Sequence, residues 1–150
     1  LNNVSNYQMI EKLYQASQAG VKIRMIVRGI CCLIPGVKGL SENIEVISIL
    51  DRFLEHPRVF IFQNSGDKKV YISSADFMTR NIENRVEVAV PIYDVRLQRQ
   101  IKDVFDIIWN DNVKARRLNG PNQNAFVKNN MTWNVVLPKY IQFYKDLLKD

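Results

Sequence analysis

The sequence predicts a mixed α/β domain in which helices flank a central sheet, and three patterns along its 150 residues indicate that class. An apolar helical repeat over 9–16 is followed by a β-branched run over 21–27, which is typical of a helix and then a buried strand. Two further extended runs, 58–62 and 69–73, form a predicted hairpin. A long amphipathic repeat over 95–108 adds another helix. Short strands that alternate with helices are typical of a sheet covered by helices.

The first part of the chain is predicted to form a helix followed by two strands. Ser5 and Gln8 have the spacing of a capping box, so Ser5 is the predicted N-cap of the first helix. Gly20 is the predicted stop of that helix. A first strand then covers 21–27, and a second short strand covers 44–49.

The hairpin is predicted to turn at Asn64–Asp67, where residues that favour turns are concentrated. A short helix over 77–83 and a strand over 85–92 follow. Asp94 is the predicted N-cap of the long helix. The apolar stripe of that helix consists of Leu97, Ile101, Val104, Phe105 and Ile108.

The end of the chain has weaker patterns. Residues 113–118 form either an edge strand or an extended arm, whose three positive charges are a second candidate anion contact. The segment 119–130, rich in Asn and Gly, is predicted to be a mobile loop, and 133–149 is predicted to become helical. We expect residues 1–150 to form a single domain.

Composition narrows the class of partner. The hydrophobic fraction of 47% and the charged fraction of 24% are those of an ordinary globular protein. The net charge of +6 favours a polyanionic partner, although such basicity also serves solubility alone. No apolar run reaches the roughly 18 residues of a membrane span.

Adjacent Cys31 and Cys32 predict reduced thiols in a cytosolic protein, and with one histidine they cannot form a usual zinc site. Because the chain opens with Leu1 almost directly into a helix, we expect a fragment of a longer protein.

The hairpin carries the first group of candidate functional residues. His56 precedes its first strand, and its second strand ends in polar residues. Cationic donors, neutral donors and one group that titrates near neutral pH suit a phosphate site. The alternative is that a lone histidine beside a strand is structural. The residues that accompany His56 in this group are Ser73, Ser74, Asp76 and Arg80.

Arg28 is a second candidate because it directly follows a strand and precedes Gly29. In open α/β sheets, ligands bind beyond the carboxyl ends of the strands, where an arginine is placed to meet an anion. The alternative is a surface ion pair.

Eight motifs follow one another from the first helix to about Leu118. They are Leu13–Val21, Ile26–Gly36, Ser41–Ile44, Arg52–His56, Tyr71–Asp76, Thr79–Ile82, Arg85–Val88 and Val113–Arg116. In sequence and in order they resemble the C-terminal domain of the polyphosphate kinase 1 family.

The resemblance implies a larger, multidomain enzyme, a transferase that moves the terminal phosphate of ATP reversibly onto inorganic polyphosphate. The histidine that becomes phosphorylated, and most contacts to Mg²⁺, are implied to lie in preceding domains, so the isolated chain is expected to be inactive. ATP or ADP, polyphosphate, the preceding domains and further copies of the enzyme are the implied partners, and nucleic acid is not among them. The implied location is cytoplasmic, including the inner face of the membrane.

The resemblance also implies the fold of a phospholipase-D-like half-domain. Here the HxK of that superfamily is replaced by 56–58, and its GSxN by 73–76. These departures argue against phosphodiesterase chemistry. Two alternatives nevertheless accompany the kinase hypothesis: a phosphodiesterase or nucleic-acid-binding half-domain, and a non-catalytic interaction domain.

Two residues receive roles from the resemblance. Arg28 is implied to contact the nucleotide phosphates, and His56 is implied to be the second active-site histidine. Either a protonated His56 holds phosphate or the imidazole exchanges a proton in the transfer. The secondary candidates are Ser73, Ser74, Asp76 and Arg80, of which Asp76 is expected to orient His56 or Arg80.

Overall fold

The α/β class is confirmed by the computed structural model of the chain, which describes residues 1–120. Within them Leu1–Leu118 form one compact unit. The predicted helix over 133–149, and the predicted loop beyond Gly120, lie outside the described residues, and the single domain over 1–150 stays a prediction. The elements in chain order are α1 (Tyr7–Gln18), β1 (Ile23–Ile26), β2 (Ile44–Ser48), β3 (Val59–Phe62), β4 (Lys69–Ser73), α2 (Thr79–Glu83), β5 (Ala89–Pro91), α3 (Val95–Trp109) and β6 (Arg116–Arg117).

The strands form two three-stranded sheets rather than the one central sheet that we expected. In the first sheet β2 lies between β1, which runs parallel to it, and β6, which runs antiparallel. In the second, β3, β4 and β5 form an antiparallel meander. No strand in the described part of the chain joins the two sheets, and β1 and β3 each have one edge without a strand neighbour there.

The hydrophobic core lies between α1 and the first sheet. Ile10 of α1, Met25 of β1 and Val46 of β2 are each at most 8% exposed. Val4, which precedes α1, is fully buried and forms parallel bridges to both Cys31 and Phe77. The segment before α1 therefore belongs to the core. Within residues 1–120, no helix is long and apolar enough to cross a membrane.

The start of α1 differs from the capping box predicted at Ser5. The N-cap is Asn6, whose side-chain oxygen accepts a hydrogen bond of 3.0 Å from the Met9 amide. Asn caps a helix as well as Ser does, and here its side chain is almost completely buried. At the other end, α1 stops at Gln18, and Gly20 has the positive φ of 86° that favours glycine after a helix.

The last part of the unit matches the prediction at α3 and differs at β5. Asp94 caps α3 as predicted, accepting a hydrogen bond from the Arg96 amide at 2.8 Å. Of the strand predicted over 85–92, only Ala89–Pro91 forms β5, and just before it the Val88 amide donates to the Ser74 hydroxyl rather than to a backbone carbonyl. No residue of α3 is buried, so its apolar stripe is only partly covered.

Candidate phosphate-binding site

The segment Leu1–Asn3 lies directly against the end of β1. The Leu1 nitrogen donates to the Ile26 carbonyl at 3.0 Å, and the Leu1 carbonyl accepts from the Arg28 amide at 3.2 Å. The Gly29 amide donates to the Asn2 carbonyl at 2.7 Å. A Cβ atom at Gly29 would lie 2.6 Å from Asn3 Oδ1 and 3.0 Å from the Asn2 carbonyl oxygen. Glycine at this position therefore permits the close approach.

Arg28 lies at the end of β1, as the sequence predicted, and is half-buried. Its Nε atom donates to Asn2 Oδ1 at 2.8 Å, and its backbone carbonyl accepts from Ser48 Oγ at 3.2 Å. Among residues 1–120 no carboxylate pairs with this guanidinium group, so the alternative of a surface ion pair has no partner there. The Nε contact holds the side chain, while its two terminal nitrogens have no partner among residues 1–120 and could bind an anion.

Asp76 is the buried centre of the second part of the site, and its side chain is 3% exposed. Its Oδ1 atom accepts hydrogen bonds from the backbone amides of Asn2 at 2.7 Å and Asn3 at 3.3 Å. Its Oδ2 atom accepts from Arg58 Nη2 at 3.1 Å and lies 3.4 Å from His56 Nε2. The segment Leu1–Asn3, which accepts a hydrogen bond from Arg28, therefore also donates hydrogen bonds to the Asp76 carboxylate beside His56.

The surroundings of Asp76 keep it ionised. Burial alone would raise the pKa of this carboxyl, but hydrogen bonds from Arg58, from the Asn2 and Asn3 amides and from His56 outweigh burial and lower the pKa below its usual value of 3.8. At neutral pH the group is a carboxylate that can only accept hydrogen bonds.

This carboxylate selects the orientation of the His56 ring. Because Asp76 only accepts, Nε2 of His56 carries the hydrogen in their contact. The second ring nitrogen, Nδ1, is then an acceptor in the neutral imidazole and a donor in the charged one. The side chain of His56 is 35% exposed, so its ring is accessible to a ligand. A histidine held in one tautomer by a buried carboxylate is the arrangement of acid–base sites.

The two serines serve local structure. Ser73 Oγ accepts from the Ala75 amide at 3.0 Å. Ser74 Oγ donates to Glu87 Oε2 and accepts from the Val88 amide at 3.0 Å. The Ser74 hydroxyl ties the end of β4 to the segment before β5, and the Ser73 hydroxyl stabilises the turn that follows β4.

Arg80 is exposed on α2 and has no contact with Asp76 in the described residues, so of the two expected partners of Asp76 only His56 is seen. Its role as a secondary candidate stays a prediction.

Sequence reasoning missed Asn2, Asn3 and the partner of Arg58. The contacts between the asparagines and Asp76 span more than 70 residues, and no local pattern announces them. Arg58 was treated only as a departure from a superfamily motif. Residues two apart on an extended chain lie on the same face. The spacing of His56 and Arg58 could therefore have predicted that both side chains contact the same residue, which is Asp76 in the structure.

The described residues do not fit a magnesium site. Nowhere in residues 1–120 do three or more His, Cys, Asp or Glu side chains lie close enough together to hold a metal ion. Both oxygens of Asp76 already accept hydrogen bonds from protein donors. Hydrogen-bond donors and charge are therefore the groups that the site around Arg28 and His56 presents.

Fold and site together define a class: a mixed α/β domain that presents an arginine and a carboxylate-supported histidine at the end of its sheets. The sequence profile of one family, described as polyphosphate kinase C-terminal domain 2, matches residues 1–135. The chain belongs to this family, which confirms the resemblance found in the sequence.

Individual relatives agree. The chain is 56% identical over 128 residues to a polyphosphate kinase of Vibrio vulnificus (strain YJ016), covering 85% of the chain and 18% of that protein. It is 52% identical over 127 residues to one of Escherichia coli (strain K12), with the same two shares. The crystal structure of polyphosphate kinase from Porphyromonas gingivalis superposes with a TM-score of 0.77 at 47% identity, over 80% of the chain and 18% of that protein. The chain thus spans about a fifth of the length of the relatives it matches.

Proposed function

We propose that this domain forms part of the active site of an ATP:polyphosphate phosphotransferase, in which Arg28 binds phosphate and His56 takes part in phosphoryl transfer. Membership of the polyphosphate kinase family supports the reaction class. The observation that carries the proposal is the contact of the half-exposed His56 with the buried, ionised Asp76.

Arg28 neutralises charge on the transferred group. Phosphoryl transfer depends mainly on positioning and on donors that match the phosphate oxygens, and an arginine fork supplies both. The hydrogen bond from its Nε atom to Asn2 leaves the terminal nitrogens for the nucleotide phosphates or the polymer.

His56 acts through Nδ1, since Nε2 is directed at Asp76. In its charged form Nδ1–H donates to a phosphate oxygen, and in its neutral form Nδ1 accepts a proton from a reacting group. The carboxylate of Asp76 holds the ring through its contact with Nε2, so Asp76 is a positioning residue.

The phosphodiesterase alternative is not favoured. In that superfamily the third position of HxK is a lysine, and here Arg58 occupies it. The guanidinium of Arg58 is committed to Asp76, and its side chain is only 20% exposed. It therefore cannot contribute a free cation to a phosphodiester site.

The remaining parts of the proposal concern the whole enzyme. ATP or ADP and inorganic polyphosphate are its substrates, and the phosphorylated histidine and Mg²⁺ lie mainly in other domains. An enzyme of this kind acts in the cytoplasm or at the inner face of the membrane, as a homo-oligomer.

The test replaces His56 in the full-length enzyme. His56→Ala should reduce turnover by roughly 10²- to 10⁴-fold, the usual contribution of a general acid or base. His56→Gln is the matched variant, because a glutamine amide can still donate to Asp76 but cannot titrate near neutral pH. Similar loss in both variants, with unchanged thermal unfolding, indicates proton transfer or charge at His56.

Near-normal turnover in His56→Ala would contradict the proposal. Retained activity in His56→Gln alone would limit His56 to hydrogen bonding. Phosphorylation of the nucleophilic histidine, measured with labelled ATP in the same variants, shows whether His56 serves the first step or the transfer to the polymer.

A further inference from the structure

A large apolar groove of about 1010 Å³ separates the two sheets. Its sides are the edges of β1 (Ile23–Ile26) and β3 (Val59–Phe62), and we call it the inter-sheet groove. They are two of the four outer strand edges that have no strand neighbour within residues 1–120, and the other two belong to β5 and β6. Exposed strand edges present unpaired backbone donors and acceptors to any segment that can pair with them.

The pairing pattern shows which backbone groups face the groove. On β1 the amides of Ile23 and Val27 bind toward β2, so the alternate residues Arg24 and Ile26 direct their backbone groups to the open edge. On β3 the pair formed by Arg58 and Ser73 is hydrogen-bonded, so Val59 and Ile61 direct theirs away from β4. Donors and acceptors are therefore available on both sides of the groove.

The Leu1–Asn3 segment already begins a ladder at this edge. Leu1 donates to the Ile26 carbonyl and accepts from the Arg28 amide. In a parallel ladder, a residue that bonds to these two groups lies directly beside Val27. Three residues later, Val4 forms parallel bridges on both sides, to Cys31 and Phe77. The chain at Val4 thus lies between the segments that follow β1 and β4, and Leu1 itself lines the groove.

The groove walls predict the composition of what fills it. Leu13 and Ala16 of α1 line it, and so do Ile101, Val104 and Phe105 of α3. A strand between two helical layers is apolar on both faces. Such a strand would also cover the stripe of α3, none of whose residues is buried in this chain.

We propose that the inter-sheet groove is the seat of a β-strand formed by the residues that precede Leu1 in the polypeptide. The strand runs parallel to β1, pairs with β3 on its other side and joins the two sheets into one. In this register the residue two positions before Leu1 binds the Arg24 carbonyl and the Ile26 amide, and the residue four positions before it binds the Arg24 amide. The relatives, of which this chain covers 18%, are long enough to contain such a strand.

Hydrogen exchange at single amides tests the register. The 150-residue chain is compared with the same polypeptide begun about eight native residues earlier, enough for a strand of ordinary length. The Arg24, Ile26 and Ile61 amides should exchange at least ~100-fold more slowly in the longer polypeptide, since they gain hydrogen-bond partners. The Val27 amide is the internal control, because it already binds the Ile47 carbonyl at 2.9 Å and should be protected in both.

Equal exchange of Arg24 and Ile26 in the two polypeptides would overturn the proposal. Protection on the β1 edge without protection of Ile61 would overturn the joining of the sheets. Protection that depends on protein concentration in the 150-residue chain would identify a second copy as the occupant and also overturn it.

A matched pair of variants on α3 gives an independent readout. Val104 lines the groove and Ile107 does not. Both side chains are exposed in this chain, to 55% and 73%, so they form a matched pair. If the strand covers the groove, Val104→Asp should lower the urea midpoint of the longer polypeptide clearly more than that of the 150-residue chain. Ile107→Asp should have the same small effect in both. Equal effects of Val104→Asp in the two polypeptides would contradict the proposed strand.

Discussion

Replacement of Asp76 by asparagine should destabilise the unit strongly. Asp76 is 3% exposed and accepts from two backbone amides, from Arg58 and from His56. Asparagine keeps the size of the side chain but removes its charge, and its amide nitrogen presents a donor where the protein already supplies donors. Arg58 would then be a largely buried cation without a partner, and its Nε atom already makes no hydrogen bond.

The size of the effect follows from the burial of the two partners. Removing one member of a buried ion pair typically costs 3–5 kcal/mol. Because the side chain of Arg58 is 20% exposed, water screens it in part, and we expect the low end of that range, about 3 kcal/mol. With a urea dependence of about 2 kcal/mol per M, the unfolding midpoint should fall by about 1.5 M.

The control is Asp67→Asn, the same change at a carboxylate that pairs with Lys69 where both side chains are about half exposed or more. Exposed pairs of this kind contribute little, so its midpoint should stay within error of the unchanged protein. If Asp76→Asn and Asp67→Asn have the same midpoint, the inferred role of Asp76 is wrong.

The pH dependence provides a second check. The pKa of Asp76 is lowered in the folded protein, so its contribution is fully present above the unfolded pKa of about 4 and is lost as pH falls through the folded pKa. The gap between the unchanged protein and Asp76→Asn should therefore be constant from about pH 5 upward and close below about pH 4. A gap that widens in acid would refute this reasoning.

The same contacts lead to three further predictions. Gly29→Ala should destabilise the unit by about 1–3 kcal/mol, measured by urea unfolding, because the new Cβ atom overlaps Asn3 Oδ1; an unchanged midpoint would contradict it. Arg28→Ala and Arg28→Lys should both weaken polyphosphate binding in titrations, since lysine cannot keep the Nε contact to Asn2. The control Arg96→Ala, at an exposed arginine, should leave the affinity unchanged. An affinity that does not fall as salt rises, or that is the same in the Arg28 variants, would argue against this site. The isolated chain should show no ATP-dependent polyphosphate synthesis with magnesium, and clear synthesis by pure chain would overturn the assignment of the nucleophile to another domain.

The sequence predicted the members of the site better than the contacts that hold them. Arg28 and His56 are candidates because each lies beside a predicted strand, and the structure places both residues beside strands. The link from Asp76 to His56 was also anticipated, since a hairpin brings residues 20 positions apart together. Asn2 was missed because its partners, Arg28 and Asp76, lie 26 and 74 residues away and no periodicity encodes such contacts.

The fold shows the same limit. Helix and strand periods predicted most elements within a few residues, but the number of sheets depends on which edges meet, and that is a tertiary property. The strand predicted over 85–92 is too long, and the bond of the Val88 amide to the Ser74 hydroxyl is a contact that alternation alone does not reveal.

The position of Asn2 makes the site dependent on the completeness of the sheet. Its side chain orients Arg28, and its backbone amide supports Asp76, which in turn orients His56. One short segment therefore positions both candidate side chains, and the hydrogen bonds of Leu1 anchor that segment to β1. A strand that extends this ladder through the inter-sheet groove would restrain Asn2 from both directions along the chain. Because a misplacement of about 1 Å can cost ~10²-fold in rate, such restraint bears directly on transfer. If the proposed strand forms, it would also help to set the separation of Arg28 and His56, the two candidate site residues.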